Sequence, residues 1–345
     1  MKEYREQLLD LILNFLWRQW SALGVLGTSS SEDEWILDPE PLLLFSLETA
    51  RYEPRLFDEI LSWLWTNGAL LDIARIKKLL LERNSEETAR VVGGTLNYLV
   101  DFADNRKWQG IVKFANEKFL VNSKDKAVRA LFRLRTGEPH PMAKDADWRF
   151  IPFNLNRPKI LRIRRGADVP VNAQTNIRFL LRRLFGVGAR SEVILYLLTH
   201  ESGAPAEIAD ATGYFWLTIR DVLEDLRGSR QILTKQKGKR IEYWLSQNKW
   251  WDFISSSAQE TRRPKWLNWA EIYTALYILW NTVDEIAGGS ESEYMKSSRL
   301  QDSLEKLSSE FAQAGIAVGN PPSPGLPAEM HQSAALKFIS GALGA

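Results

Sequence analysis

Residues 190–245 decide the fold that this sequence predicts, and they read RSEVILYLLTHESGAPAEIADATGYFWLTIRDVLEDLRGSRQILTKQKGKRIEYWL. Apolar side chains recur at helical spacing in three successive segments, around Ile194, Ile208 and Ile219. Pro205 suits the first turn of the second helix, where its missing N–H needs no partner, and Gly213 suits the end of that helix. The stretch therefore predicts three helices separated by two turns.

Two short apolar runs follow Gly228, and they predict a β-ribbon. The runs are 232–234 and 241–245, and the connection between them, 235–240, carries four cations and Gly238 as the turn residue. Helical patterns dominate the rest of the chain. The expected fold class is therefore mainly α with a small β-ribbon, the three helices and ribbon being flanked by N- and C-terminal helical domains.

This order of elements resembles the winged helix–turn–helix of transcriptional regulators of the ArsR/MarR type. The resemblance rests on PAEIADATG (205–213), the helix after it and the ribbon tip KQKGKR (235–240), within residues 190–245. The segment FGVGARSEVILYLLTH (185–200) also resembles winged-helix proteins encoded beside nucleotidyltransferase-domain genes. The resemblance implies a homodimeric transcriptional regulator that binds double-stranded DNA and represses its own operon. The third helix would enter the major groove.

The residues expected to contact DNA lie on the third helix and on the ribbon. Thr218 and Arg220 can read bases or phosphates. Six cations without an intervening acid suit phosphate contacts, the ribbon tip lying in or beside the minor groove: Arg227, Arg230, Lys235, Lys237, Lys239 and Arg240.

A second interpretation is a protein-interaction module, such as an antitoxin or a regulatory subunit. Phe215, Trp216 and Leu217 open the third helix but offer few polar groups to base edges, and Asp221, Glu224 and Asp225 follow them. In this interpretation Phe215 and Trp216 bind a partner protein from the same operon. The two interpretations are compatible, because an antitoxin can also bind DNA.

Composition excludes several other classes of protein. The 345 residues are 45% hydrophobic and 26% charged, as in ordinary globular proteins. The absence of cysteine excludes disulfides and thiolate metal sites. No apolar run reaches the roughly 18 residues that cross a bilayer. We expect a cytoplasmic protein with no membrane partner.

Charge is unevenly distributed along the chain. The net charge is +2, but residues 155–240 contain sixteen Lys/Arg against eight Asp/Glu. The alternating segment 160–165 predicts an exposed basic strand. A helix over 173–185 is expected to carry Arg178, Arg182 and Arg183 on its outer face. The pattern indicates a polyanion-binding middle between acidic helical parts.

The chain divides into four expected regions. Residues 1–136 predict an all-helical domain whose last helix covers 123–135, and residues 137–172 a Pro-rich basic linker. Residues 173–250 predict the winged helix–turn–helix domain, and 251–345 a C-terminal helical region.

No residue pattern predicts a catalytic, cofactor or metal site. His140, His200 and His331 lack second ligands at metal spacing, and a helix-capping role is expected for His200. Asp145 and Asp147 have the spacing that nucleotidyltransferases use for Mg²⁺, but the Gly-Ser segment of that family is missing. We therefore expect that the protein is not an enzyme.

Overall fold

The computed structural model describes residues 1–25, 35–102, 106–159, 163–238, 240–254, 263–313, 316, 320–323 and 325–343. The protein is mainly helical, with 66% helix and 7% strand, and it has a small two-stranded antiparallel sheet. The expected mainly α class is therefore confirmed. No described helix combines the length and hydropathy of a membrane span.

The described residues of the first part of the chain contain six α-helices. They are α1 (Lys2–Ala22), α2 (Pro39–Thr49), α3 (Pro54–Asn67), α4 (Ile73–Arg83), α5 (Glu86–Phe102) and α6 (Gln109–Ala115). Pro39 and Pro54 each stand in the first turn of a helix, and Asp72 caps α4 by accepting hydrogen bonds from the N–H groups of Ala74 and Arg75.

The helix predicted over 123–135 is wrong, because this segment is extended. β1 (Arg129–Ala130) pairs in parallel with β2 (Leu155–Asn156). The N–H groups of Arg129 and Leu131 donate to the carbonyls of Asn154 and Asn156, at 3.0 and 2.8 Å. In a helix they would donate to carbonyls four residues earlier. Three consecutive side chains, residues 130–132, are buried. Tertiary burial thus overrides the local pattern.

The second half of the chain contains the predicted helices and ribbon. Its elements are α7 (Ile177–Phe185), α8 (Ala189–Thr199), α9 (Pro205–Thr212), α10 (Trp216–Gly228), β3 (Ile232–Lys237), β4 (Arg240–Leu245), α11 (Gln247–Ile254), α12 (Trp269–Gly288), α13 (Glu293–Gln313) and α14 (Ala328–Leu343). Of the predicted basic strand, residues 160–162 lie outside the described residues, and residues 163–165 belong to no strand.

Buried apolar side chains form two cores. One contains residues of α1 to α6 together with residues of α12, α13 and α14, so the two ends of the chain share it. The other contains residues of α7 to α11 and the ribbon, with Ile36 from the first part of the chain. The boundaries of the four expected regions stay a prediction.

The predicted outer face of the helix over 173–185 is wrong for two of its three arginines. Arg178 and Arg182 are buried, whereas Arg183 is partly exposed and pairs with Asp168 at 3.5 Å. The reason is a set of buried acids opposite α7, contributed by α8 and by the start of α2.

Candidate nucleic-acid interface

Residues 189–245 pack three helices against a ribbon. Ile194 of α8, Ile208 of α9 and Ile219 of α10 are buried in the second core, where Ile232 and Leu245 of the ribbon join them. Gly213 ends α9 with a φ of +79°, a left-handed conformation that glycine adopts without strain. This turn connects α9 to α10, whose first residues, Trp216 and Leu217, are exposed.

A third chain segment pairs with the ribbon at Gly203. The N–H of Gly203 donates to the carbonyl of Tyr243, and the N–H of Tyr243 donates to the carbonyl of Gly203, both at 2.9 Å. A Cβ at residue 203 would lie 2.7 Å from Cε1 of Tyr196, so only glycine fits there. The segment between α8 and α9 thus fixes β4, and through it the ribbon, against the three helices.

The first turn of α10 exposes an apolar surface, which we call the aromatic patch and define as Phe215, Trp216 and Leu217. These side chains are 83%, 52% and 50% exposed. The guanidinium of Arg220 lies 5.3 Å from the ring centroid of Trp216. Thr218 is exposed next to the patch. The accessible start of the helix is therefore largely apolar.

Acids accompany the cations of α10. Arg220 pairs with Asp221 at 2.8 Å, and Arg227 pairs with Glu224 at 2.6 Å. Because these pairs are exposed, each contributes only about 0–1 kcal/mol to stability, and a phosphate can compete for the arginine. The predicted contacts Thr218, Arg220 and Arg227 are accessible, but the helix also presents negative charge.

The ribbon cations differ in their surroundings. Arg230 and Lys235 are exposed, and neither forms an ion pair with a described residue. Arg240 pairs with Glu207 of α9 and lies 3.9 Å from Glu242. Two predicted contacts remain. Lys239 lies outside the described residues, and so does the side chain of Lys237.

A buried ion cluster behind α10 was missed by the sequence reasoning. We define it as Asp38, Glu40, Arg75, Arg178, Arg182 and Glu192. Arg182 pairs with Glu40 at 2.6 Å and with Glu192 at 2.7 Å, and Arg178 pairs with Asp38 at 2.5 Å. Arg75 pairs with both Asp38 and Glu40. Three acids face three arginines, so the cluster is balanced in charge.

The charges of the cluster set its pKa values. Burial alone would raise the pKa of Asp38. Arg178, Arg75 and Arg182 lower it by a larger amount, so the pKa of Asp38 is well below its usual range. Burial raises the pKa of Glu192 too, but Arg178, Arg182 and Arg75 together lower it by more, so this pKa is also below its usual value. Both carboxylates therefore stay ionised at neutral pH. One sequence signal was available, since Asp38 and Glu40 interrupt the apolar segment WILDPEPLLLF (35–45).

The turn before α10 is attached to α4. Nε of Arg75 donates to the carbonyl of Thr212 at 3.0 Å, and the hydroxyl of Tyr214 donates to the carboxylate of Asp72. Burial and then the charges of Glu192 and Asp72 raise the pKa of Tyr214, so this donor keeps its proton. The position of α10 is thus fixed by residues far from it in the sequence.

Two of the residues considered for catalysis or metal binding, Asp147 and His200, make other contacts in the structure. Asp147 is buried and its Oδ2 accepts from Arg149 at 3.0 Å. Within the described ranges, no three His, Asp or Glu side chains gather as metal ligands. The expected capping role of His200 is confirmed: its backbone N–H and its ring Nδ1 both bond to the carbonyl of Tyr196 in the last turn of α8, and its ring stacks on that of Tyr196 with centroids 3.9 Å apart.

Comparison of the chain with protein families, with curated proteins and with solved structures gives no match.

Proposed function

We propose that residues 189–245 form a winged helix–turn–helix that binds double-stranded DNA, and that the protein is a transcriptional regulator of its own operon. The observation that carries this proposal is the order of three packed helices and a ribbon, with a third strand-like segment at Gly203. In this arrangement α10 enters the major groove and the ribbon lies along the phosphates.

The charge of the ribbon supports phosphate contacts. Arg230 and Lys235 are exposed cations, and the predicted contacts Lys237, Lys239 and Arg240 follow them in the chain. Arg240 must exchange Glu207 for a phosphate, so it contributes less to DNA affinity than an unpaired cation would. The homodimer implied by the resemblance also stays a proposal. Light scattering tests it, since a dimer has twice the chain mass of 39.6 kDa.

Fluorescence anisotropy with a labelled random-sequence duplex tests the DNA proposal. We expect affinity to fall steeply between about 50 and 200 mM salt, because each phosphate contact releases counterions. The double variant Arg230→Gln/Lys235→Gln should lower the slope of log affinity against log salt by about 1.8, at roughly 0.9 per contact.

The matched control is Lys78→Gln/Lys113→Gln, which removes two exposed cations of α4 and α6. An equal loss in both double variants would mean that the DNA contacts are not localised on the ribbon. Absence of salt-dependent binding by the wild-type protein would overturn the DNA proposal.

The aromatic patch favours a second candidate function, the docking of a partner protein. An exposed Trp beside a Phe and a Leu is the type of side chain that dominates binding energy at protein interfaces. Coexpression with the products of neighbouring genes tests it. Trp216→Glu should abolish copurification of the partner, whereas Tyr294→Glu on α13, another exposed aromatic, should not.

A further inference from the structure

A cavity separates the three-helix unit from the C-terminal helices. Its volume is about 660 Å³, and its walls come from α8 and α9 on one side and from the start of α12 and the end of α13 on the other. This volume lies within the roughly 300–1,000 Å³ of typical small-molecule sites. The proposed DNA-binding surface does not include it.

Three aromatic rings form one wall of the cavity. Tyr196 and His200 stack with an interplanar angle of 3°, and the ring of Trp266 is inclined to them by 69° and 66°. The centroid of Trp266 lies 5.4 Å from that of His200 and 6.3 Å from that of Tyr196. Two ring faces that meet at such an angle can attract a cation from two directions.

Two polar groups of this wall have no protein partner among the described residues. Tyr196 is 8% exposed, and its hydroxyl, which is not among the fully buried polar atoms, makes no hydrogen bond with a described residue. The His200 Nδ1 lies 2.9 Å from the carbonyl of Tyr196, so in the neutral ring Nδ1 carries the proton and Nε2 accepts. Burial lowers the pKa of His200, which keeps the ring neutral at pH 7.

The rest of the cavity lining is rich in acidic residues. Glu207, Asp210, Glu271 and Glu310 line the cavity, and none of its lining residues among those described is a lysine or an arginine. Burial and then repulsion from Glu271 raise the pKa of Glu310, although Lys306 offsets part of this. Carboxylates that repel each other beside an uncharged aromatic wall favour a positively charged occupant.

We propose that this cavity binds a small organic cation that carries a primary ammonium or a guanidinium group. The carboxylates of Glu271 and Glu310 accept hydrogen bonds from the cation, the rings of Trp266 and His200 cover its apolar stem, and the Tyr196 hydroxyl and His200 Nε2 supply further polar contacts. A phosphate or a carboxylate would be repelled by the same walls.

The cavity also has a link to the ribbon. Glu207 lines the cavity and pairs with Arg240 at the start of β4. A bound cation competes for Glu207 and frees Arg240, so the ligand should strengthen phosphate contacts. This link rests on the proposed function, whereas ligand binding itself does not.

Isothermal titration of the full chain tests the binding site without DNA. The probes are agmatine and 1,5-diaminopentane, with 1,5-pentanediol as the uncharged analogue of similar length. We expect saturable one-to-one binding of at least one amine and none of the diol.

Glu310→Gln should weaken binding about tenfold, because a hydrogen bond to a charged group is lost. Glu305→Gln removes an exposed acid of the same helix outside the cavity, and it should change affinity less than about twofold.

A loss of binding in Glu310→Gln cannot be attributed to unfolding if the thermal melt of the variant matches that of the wild type. We expect this match, because the substitution removes the repulsion between Glu310 and Glu271. No saturable heat with either amine, equal binding of the diol, or equal weakening in both variants would each overturn the proposal. If the protein binds an amine but not DNA, the proposed cation site is supported, and only the proposed effect of the ligand on phosphate contacts of the ribbon is overturned.

Discussion

Two arginines of α7, Arg178 and Arg182, come from the same basic stretch of sequence as the arginines of α10 and the ribbon, but they occupy the opposite environment. Arg178 and Arg182 are buried and face Asp38, Glu40 and Glu192. Arg220 and Arg227 are exposed and, among the described residues, pair with acids of their own helix. The positive charge available to a polyanion is therefore smaller than the excess counted along residues 155–240. What decides the role of an arginine is which acids the fold brings to it.

The largest expected effect comes from breaking the buried set. Arg182→Met leaves Glu40 and Glu192 without one of their cations, and removing one partner of a buried ion pair costs about 3–5 kcal/mol of unfolding free energy. Arg183→Met, at the next residue, removes a partly exposed arginine and should cost no more than about 1 kcal/mol. Urea denaturation of both variants measures the difference. Similar losses would show that burial does not separate these two arginines.

A second prediction contrasts two buried carboxyl groups. Burial, offset only in part by Arg83, Thr88 and Arg51, raises the pKa of Glu48 from 4.5 to about 7. A raised pKa in the folded protein contributes stability below the unfolded pKa, and this contribution is lost as the pH rises through about 7. Wild-type stability should therefore fall by roughly 1–3 kcal/mol between about pH 5 and 8 through this group.

Glu48→Gln, which cannot ionise, should flatten that part of the profile. The depressed pKa of Asp38 acts with the opposite sign, because its contribution is present above its unfolded pKa of about 3.9 and is lost as the pH falls below it. Chemical denaturation across pH 3–9 measures both. An unchanged slope above pH 5 in Glu48→Gln would contradict the raised pKa.

The smallest expected effect concerns the aromatic patch. Trp216→Ala and Phe215→Ala remove exposed side chains, so each should change the unfolding free energy by no more than about 0.5 kcal/mol. Ile219→Ala, on the buried face of the same helix, should cost about 2–5 kcal/mol. Thermal and urea melts compare the three. A large loss in Trp216→Ala would mean that the patch is covered and is not a free surface.

Local patterns were sufficient to predict most of the helices. The apolar spacing and end signals around Pro205 and Gly213 predicted α9, and helical patterns predicted the C-terminal helical region that contains α12 and α13. The ribbon followed from two apolar runs about Gly238. All of these depend on residues within a few positions of each other, which is the range over which helix and turn chemistry acts.

Contacts between distant segments could not be predicted in this way. The sequence shows that Arg178 and Arg182 lie on one side of a helix, but not that Asp38 and Glu40 will face them. Likewise, Arg129 and Leu131 find their hydrogen-bond acceptors in a segment 25 residues away, which is why the helix over 123–135 does not form. Tyr196 and Glu310, which line the same cavity, are even farther apart in the sequence.

The ion pair between Glu40 and Arg182 joins residues 142 positions apart in the chain, and this separation has a kinetic consequence. Long-range contacts form late, because the intervening loop must lose entropy before the contact can stabilise it. The charges remain hydrated until all their partners arrive, since a half-assembled cluster would bury unpaired charge. Refolding should therefore end with the docking of the two cores, in a slow phase that Arg182→Met alters and Arg183→Met does not.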